Sequence, residues 1–498
     1  MIELFQAFTL LATTPLIAVA LIGLVWGILG GALPGISPSI SMALLLPFTY
    51  TLAPMLAIVL LATAYIGAEY GGSIPAILIR TPGTNAAAAT VLDGYEMRRQ
   101  GRAGEALGIS LWSGVVGGLV GLAMLILLTE PLSRLALAFR PMSYFALGIL
   151  GLSVIASLSG KSLLKGVAAA ILGLMVATVG TDPNSGVGRF TFGSPELLDG
   201  IAPIFVMVGL FAVSELMTRS GISVSAMGKQ EPFRVRLPSL KLMNRLKRSQ
   251  FIGAFIGTFE GLMPGAGGSI ASFLSYNEAK RWSKKPEEFG KGSPEGIAAP
   301  ETSNNTVAST ALIPLLSFGI PGSNSAAILL GGLLIHGLLP GPRLFEENGD
   351  IIIGLYTGSF VAVTSLMVVG ILVLPLCIWL VNRPRPYLSG FIFALVLSGI
   401  YTVHTTLFDV GIVLVAGLFG YLMRFFGFPF LPAVLGVVLG ELIESNYRRS
   451  MDLSGGEHAI FLEDPIAVGL LSVAFLFVVG SLLREGREAR KARKEVQL

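Results

Sequence analysis

Residues 319–332 read GIPGSNSAAILLGG, and a near copy, RTPGTNAAAATVLDG, occupies residues 80–94. Each places a Pro-Gly pair and then Ser, Thr or Asn inside strongly apolar sequence. In hydrocarbon an unpaired backbone N–H or C=O costs several kcal/mol, so a chain that crosses a bilayer breaks its helices only where protein or a wet cavity satisfies the freed groups. Proline removes a donor and glycine lets the backbone leave helical geometry. Two such interruptions in one chain point to a membrane protein whose irregular backbone has work to do.

The surrounding composition agrees. Of 498 residues, 53% are hydrophobic and 13% charged, with a mean hydropathy of +0.77. Apolar runs about 20 residues long recur from residue 10 to residue 483 and match the bilayer core in length. They lack the charged faces of soluble helices and the alternating ten-residue segments of an outer-membrane barrel. The expectation is an all-α polytopic membrane protein. A single cysteine, Cys377, excludes a disulfide framework, and three scattered histidines (His336, His404, His458) argue against a metal site. The first segment has no basic leader and no clear small-residue cleavage site, so it is read as part of the mature fold. Basic runs at 219–248, at 280–291 and in the tail REGREARKARKEVQL read as cytoplasmic loops, not as a nucleic-acid surface, because no aromatic-interleaved domain accompanies them.

The Pro-Gly phrases belong to a longer repeat. LPGISPSIS (33–41) resembles MPGAGGSIA (263–271) at an offset of 230 residues, and TPGTNAAA (81–88) resembles IPGSNSAA (320–327) at an offset of 239. The same motifs in the same order predict a tandem duplication, 1–218 and 249–498, joined by the basic linker 219–248. After PGTN comes DGYEMRRQGRAGE; after PGSN comes the acidic HGLLPGPRLFEENGD; between the paired motifs the basic excess reverses. Equivalent loops with opposite cytoplasmic signatures predict two repeats of inverted topology. Each holds a re-entrant helical hairpin (16–50 and 250–276) and a discontinuous helix (54–93 and 297–338). Full spans are expected near 106–128, 141–158, 163–180 and 201–218, then 352–381, 387–403, 408–424, 430–446 and 466–483. This threading puts most of the 34 lysines and arginines, the linker and the C-terminal tail in the cytoplasm.

The breaks are then the candidate site. Exposed N–H groups at a half-helix N-terminus attract an anion, and freed carbonyls with Ser, Thr or Asn oxygens hold a small cation. Pro34, Gly35, Pro82, Pro264, Gly265 and Pro321 are the scaffold. Around them the candidate substrate contacts are Ser39, then Arg80, Thr81, Gly83, Thr84 and Asn85. In the second half they are Gly267, Gly268 and Ser269, then Gly322, Ser323 and Asn324. The stretch APETSNNTVAST (299–310) adds Ser303, Asn304 and Asn305. Helix packing by small residues and interhelical amide bonds is the competing reading. Arg80 is placed to fork two hydrogen bonds to a carboxylate, or else to pair with Glu69 or Glu260. Glu69, Glu260 and Thr306 are the candidates for ion coupling, since ionisable groups at membrane depth are costly and usually functional.

GALPGISPSISMALLLPFTY, YGGSIPAILIRTPGTNAAAATVLDGYEM, GLMPGAGGSIASFLSYNEAKRWSKKPEEFGKGSPEGIAAPE and IPGSNSAAILLGGLLIHGLLPGPRLF together resemble the large membrane subunit of the bacterial tripartite tricarboxylate transporters. That resemblance covers nearly the whole chain. It implies a multi-pass inner-membrane secondary transporter, not an enzyme, importing di- or tricarboxylates on a proton or sodium gradient. It also implies a small membrane subunit and a periplasmic solute-binding protein as partners, with no cofactor beyond the coupling ion. Arg80 departs from the family pattern, where a neutral residue precedes Thr-Pro-Gly, and Glu69 before YGGS departs too; both bear on which carboxylate is carried. A passive anion channel and an intramembrane enzyme are the alternatives. The first is separated by uptake against a gradient, and the second lacks paired acids or a nucleophile-base set at membrane depth.

Overall fold

The computed structural model describes residues 9, 13–33, 36–158, 162–182, 186–219, 234–263, 267–381, 385–404 and 406–496. Pro34, Gly35, Pro264 and Gly265, named above as hairpin scaffold, lie outside the described residues, as do the first eight residues and 220–233 of the linker. Nearly all regular structure is helical; the one sheet among the described residues is a two-residue antiparallel pair, Gly180–Thr181 with Gly188–Arg189. Seven helices are long and apolar enough to cross a membrane among the described residues: Thr14–Ala32, Pro54–Ile79, Ala103–Ala136, Gly349–Leu380, Leu407–Phe425, Phe430–Leu453 and Pro465–Glu485. The chain is an all-α polytopic membrane protein.

By contacts it divides into two compact units. The first comprises Met1–Arg134 with Arg219–Val403, and the second Leu135–Thr218 with His404–Leu498. Each unit therefore draws on both sequence halves.

In the first unit the same order of elements occurs twice. Helices Thr14–Ala32 and Pro38–Thr49 form one hairpin, and Leu240–Leu262 and Gly267–Trp282 form the other. Each is followed by a long helix, a seven-residue helix and, after an interruption, a twelve-residue helix. These are Pro54–Gly71, Ser73–Ile79 and Ala88–Arg99 in the first half. In the second they are Pro294–Thr310, Leu312–Phe318 and Asn324–Ile335. The second hairpin starts at Leu240 rather than 250. Ser239 caps it, its hydroxyl accepting from the Leu242 N–H at 3.4 Å, and Leu246 is buried while the basic residues around it face out. The end of the basic linker is thus the first limb of the hairpin. From Ala57 to Leu78 every residue of span Pro54–Ile79 is buried, so the broken helix lies at the heart of its unit and not against lipid.

The second unit packs Pro141–Leu158 and Leu163–Ala177 against Phe430–Leu453, where Gly173 approaches the Ala433 carbonyl too closely for any Cβ. Predicted span 201–218 forms as Pro203–Val208, a π-helical turn Gly209–Val213 and Ser214–Arg219. Asp182, Arg189, Glu444 and Arg448 form an ion-pair cluster beside the small sheet, with Arg448 Nη2 at 2.6 Å from Glu444 and 3.0 Å from Asp182.

Candidate functional site

The two interruptions share three hydrogen bonds at equivalent positions. At the first, Ser73–Ile79 ends on Arg80 in the left-handed region (φ 57°); at the second, Leu312–Phe318 ends on Gly319 (φ 75°). The Thr81 N–H donates to Pro75 O at 3.4 Å, and Ile320 N–H donates to Pro314 O at 3.3 Å. Gly83 N–H donates back across the gap to Gly72 O at 3.0 Å, and Gly322 N–H to Ala311 O at 3.4 Å. Thr84 Oγ1 accepts from Ala87 N–H at 3.2 Å; Ser323 Oγ accepts from Ala326 N–H at 3.1 Å. Each interruption thus pairs part of its freed backbone through the same three bonds; Ser323 caps the half-helix that starts at Asn324, whereas Thr84 closes a turn ahead of the half-helix that starts at Ala88. Cap bonds of this kind use only one of the four N–H groups that a helix start leaves open. Asn324, at the start of its half-helix, and Asn85, in the turn three residues before its own, are exposed.

Hairpins hold the breaks in place. A Cβ on Gly83 would stand 2.0 Å from Gly31 O of the first hairpin, and one on Gly322 would stand 2.8 Å from Gly261 O of the second. The second hairpin also reaches the opposite half: a Cβ on Gly268 would meet Asn304 Oδ1 at 2.6 Å and the Ala86 methyl at 3.4 Å. Ser269 is half-buried there. Ser39 is buried in the first hairpin and shares a 2.9 Å hydrogen bond with Ser37.

Polar side chains lace the halves together. Tyr65 Oη and Ser323 Oγ are 3.1 Å apart, and Asn304 Nδ2 donates to Glu69 O at 3.3 Å. Glu301 is buried and accepts from Thr90 and, at 3.0 Å, from Ser110, whose hydroxyl lies 2.7 Å from that of Ser73. Asp93 is fully buried and clamps the loop before the second broken helix. Its Oδ1 accepts the N–H groups of Gly290, Gly292 and Ser293 at 2.9, 2.8 and 2.7 Å, and its Oδ2 accepts Tyr276 Oη at 2.9 Å.

Some groups are left without partners. Glu69 Oε2, Ser303 Oγ, Asn304 Oδ1 and Asn305 Oδ1 are buried and unpaired among the described residues, and so is Glu260 Oε2. Thr306 is different: its hydroxyl donates to Gly117 O and Thr302 O at 3.0 and 2.8 Å and fastens one helix to another. Arg80 is exposed, lies over the Tyr95 ring at 5.8 Å, and forms no ion pair with Glu69, Glu260 or any other described residue. Thr81 Oγ1 bonds its neighbour Ile79 O at 3.3 Å. Glu301 and Asp93 were not singled out in the sequence, although Glu301 lies in the predicted broken helix 297–338 and satisfies the same criterion that selected Glu69.

A match to the family described as Tripartite tricarboxylate transporter TctA family spans residues 17–435, taking in both hairpins and both interruptions. An uncharacterized 52.8 kDa protein in the TAR-I ttuC' 3'region of Agrobacterium vitis is 37% identical over 449 residues, 90% of this chain and 89% of the relative. A second uncharacterized protein, in the TAR-II ttuC' 3'region of the same organism, is 34% identical over 234 residues, 47% of this chain and 97% of the relative. No solved structure gives a significant match.

Proposed function

Because this chain belongs to the tripartite tricarboxylate transporter TctA family, we propose that it is the large transmembrane subunit of a secondary importer of di- or tricarboxylates. The matched interruptions carry this reading. Two half-helix N-termini with open N–H groups and exposed Asn85 and Asn324 suit the carboxylates of one small anion. Ser323 caps the second N-terminus, Thr84 closes the turn that leads into the first, and Arg80, without an ion pair among the described residues, is available to a carboxylate at the first break.

Coupling falls to the buried acids. Glu69 and Glu301 are both buried, and neither has a basic partner among the described residues. An uncompensated buried charge is strongly unfavourable. A proton or sodium ion bound with the substrate offsets it, and the open oxygens Glu69 Oε2 and Asn304 Oδ1 are its ligands. The system would work with a small membrane subunit and a periplasmic solute-binding protein in the bacterial inner membrane, with the two repeats inserted in inverted orientation and the basic linker and tail cytoplasmic.

Uptake tests the reading. Proteoliposomes holding the assembled system should accumulate labelled citrate or another di- or tricarboxylate against its gradient and lose it when the ion gradient collapses; equilibration without accumulation would mean a channel. Topology is tested by cysteines at Thr51 and Lys285 on a Cys377→Ser background. Labelling from opposite sides of the membrane is expected, and same-side labelling removes the inverted arrangement.

A further inference from the structure

A cavity of about 490 Å³ opens between the two limbs of the second hairpin, lined by Arg245, Arg248, Trp282, Ser283, Lys284 and Lys285 among others. Its charges do not balance. Arg245 is held by Glu295 at 2.9 Å and Glu288 at 2.7 Å, and Lys285 shares Glu288 at 2.6 Å. Lys285 and then Arg245 hold the Glu288 carboxyl below the usual carboxylate range, so it is ionised at neutral pH. Arg245, Arg248, Lys284 and Lys285 thus face Glu295 and the adjoining Glu288, while Glu278, which accepts from Trp282 Nε1 at 3.1 Å, is paired with Arg281 at 3.6 Å. Arg248 and Lys284 have no acidic partner among the described residues; the Arg248 guanidinium lies over the exposed Trp282 ring at 5.4 Å.

The cavity continues into an apolar ridge. On helix Leu240–Leu262, Phe251, Phe255 and Phe259 follow Arg248 at three-, four- and four-residue steps, which place all four on one face. The rings are 72%, 57% and 57% exposed for their residues, and successive centroids are 6.5 and 4.8 Å apart. At 1.5 Å per residue the ridge runs about 16 Å from Arg248 to Phe259, close to the depth of one hydrocarbon leaflet, about 15 Å. A tryptophan and unpaired cations at the head of an apolar stripe are the marks of a membrane interface.

We propose that this face of the second hairpin is a binding site for an anionic phospholipid, its phosphate between Arg248 and Lys284 and one acyl chain along Phe251, Phe255 and Phe259. Charge complementarity selects the headgroup and the ridge selects a lipid over a free anion. The site is separate from the two interruptions and does not depend on what they carry.

Delipidated protein in non-ionic detergent, titrated with phosphatidylglycerol, phosphatidylcholine, inorganic phosphate or citrate and read by native mass spectrometry, decides the matter. Phosphatidylglycerol should be retained over phosphatidylcholine, and neither phosphate nor citrate should displace it. Arg248→Gln with Lys284→Gln should weaken that retention about tenfold or more, at about 1 kcal/mol per basic residue. Should the double variant fail to fold, the exposed single change Lys284→Gln and the ridge change Phe255→Ala must each lower retention. Equal retention of both lipids, indifference to these changes, or displacement by phosphate or citrate would overturn the proposal.

Discussion

The first interruption ends its short helix on arginine and the second on glycine, yet the backbone turns left-handed at both. Arg80 and Gly319 share the left-handed conformation, and three hydrogen bonds recur at equivalent positions on either side. Glycine adopts that conformation freely, whereas an L-residue with a Cβ pays roughly 1–2 kcal/mol. Geometry at the breaks is therefore imposed by the Pro-Gly pair, the kink ten residues before it and the hairpin glycines. The side chain at the end of the short helix is not needed for the fold, and strain retained at such a position is characteristic of functional sites. The surroundings differ as well: the half-helix after the first break is clamped through Asp93, while the equivalent place in the second is Gly332.

That contrast can be broken at several points. Asp93→Ala leaves three N–H groups, two of them buried, and a buried tyrosine hydroxyl without an acceptor, and should cost about 3 kcal/mol, read as a large fall in the thermal unfolding midpoint of the detergent-solubilised protein. An unchanged midpoint would mean that the clamp is idle. Gly83→Ala should destabilise by about 2–3 kcal/mol, because its Cβ meets backbone oxygen at 2.0 Å, and Gly322→Ala, at 2.8 Å, by about 1 kcal/mol. Equal losses would show that the hairpins press on the breaks with equal force. Arg80→Gly should raise stability by about 1 kcal/mol while weakening carboxylate binding; a variant that binds as before would remove the arginine from the site. Tyr65→Phe gives up one hydrogen bond between the halves and should cost about 1 kcal/mol by the same unfolding assay.

Much of this architecture was legible in the sequence, because Pro-Gly in apolar surroundings has few meanings in a membrane and the repeat told where to look twice. Predicted spans such as 141–158, 352–381 and 408–424 lie within a few residues of the helices observed. The kink of the second broken helix at Ala311 was not legible, since nothing at Thr310, Ala311 or Leu312 resembles the Gly-Gly at Gly71 and Gly72. Nor was the left-handed turn at Arg80, a residue that ordinarily avoids it. Asp93 and Glu301 escaped because their meaning lies in partners about 200 positions away: an aspartate ahead of a charged run looks solvated until the loop at 290–293 closes on it. Local sequence marks where a backbone must break, and only the folded unit shows which acids are buried around the break.

Uptake by the double variant Asn85→Ala with Asn324→Ala, compared with the parent protein in proteoliposomes containing the whole system, tests most directly whether the paired interruptions grip the cargo. Carboxylate accumulation should fall by at least about tenfold, the equivalent of one hydrogen bond to a charged group, with the unfolding midpoint unchanged. Accumulation at the parent rate from a folded double variant would contradict the account.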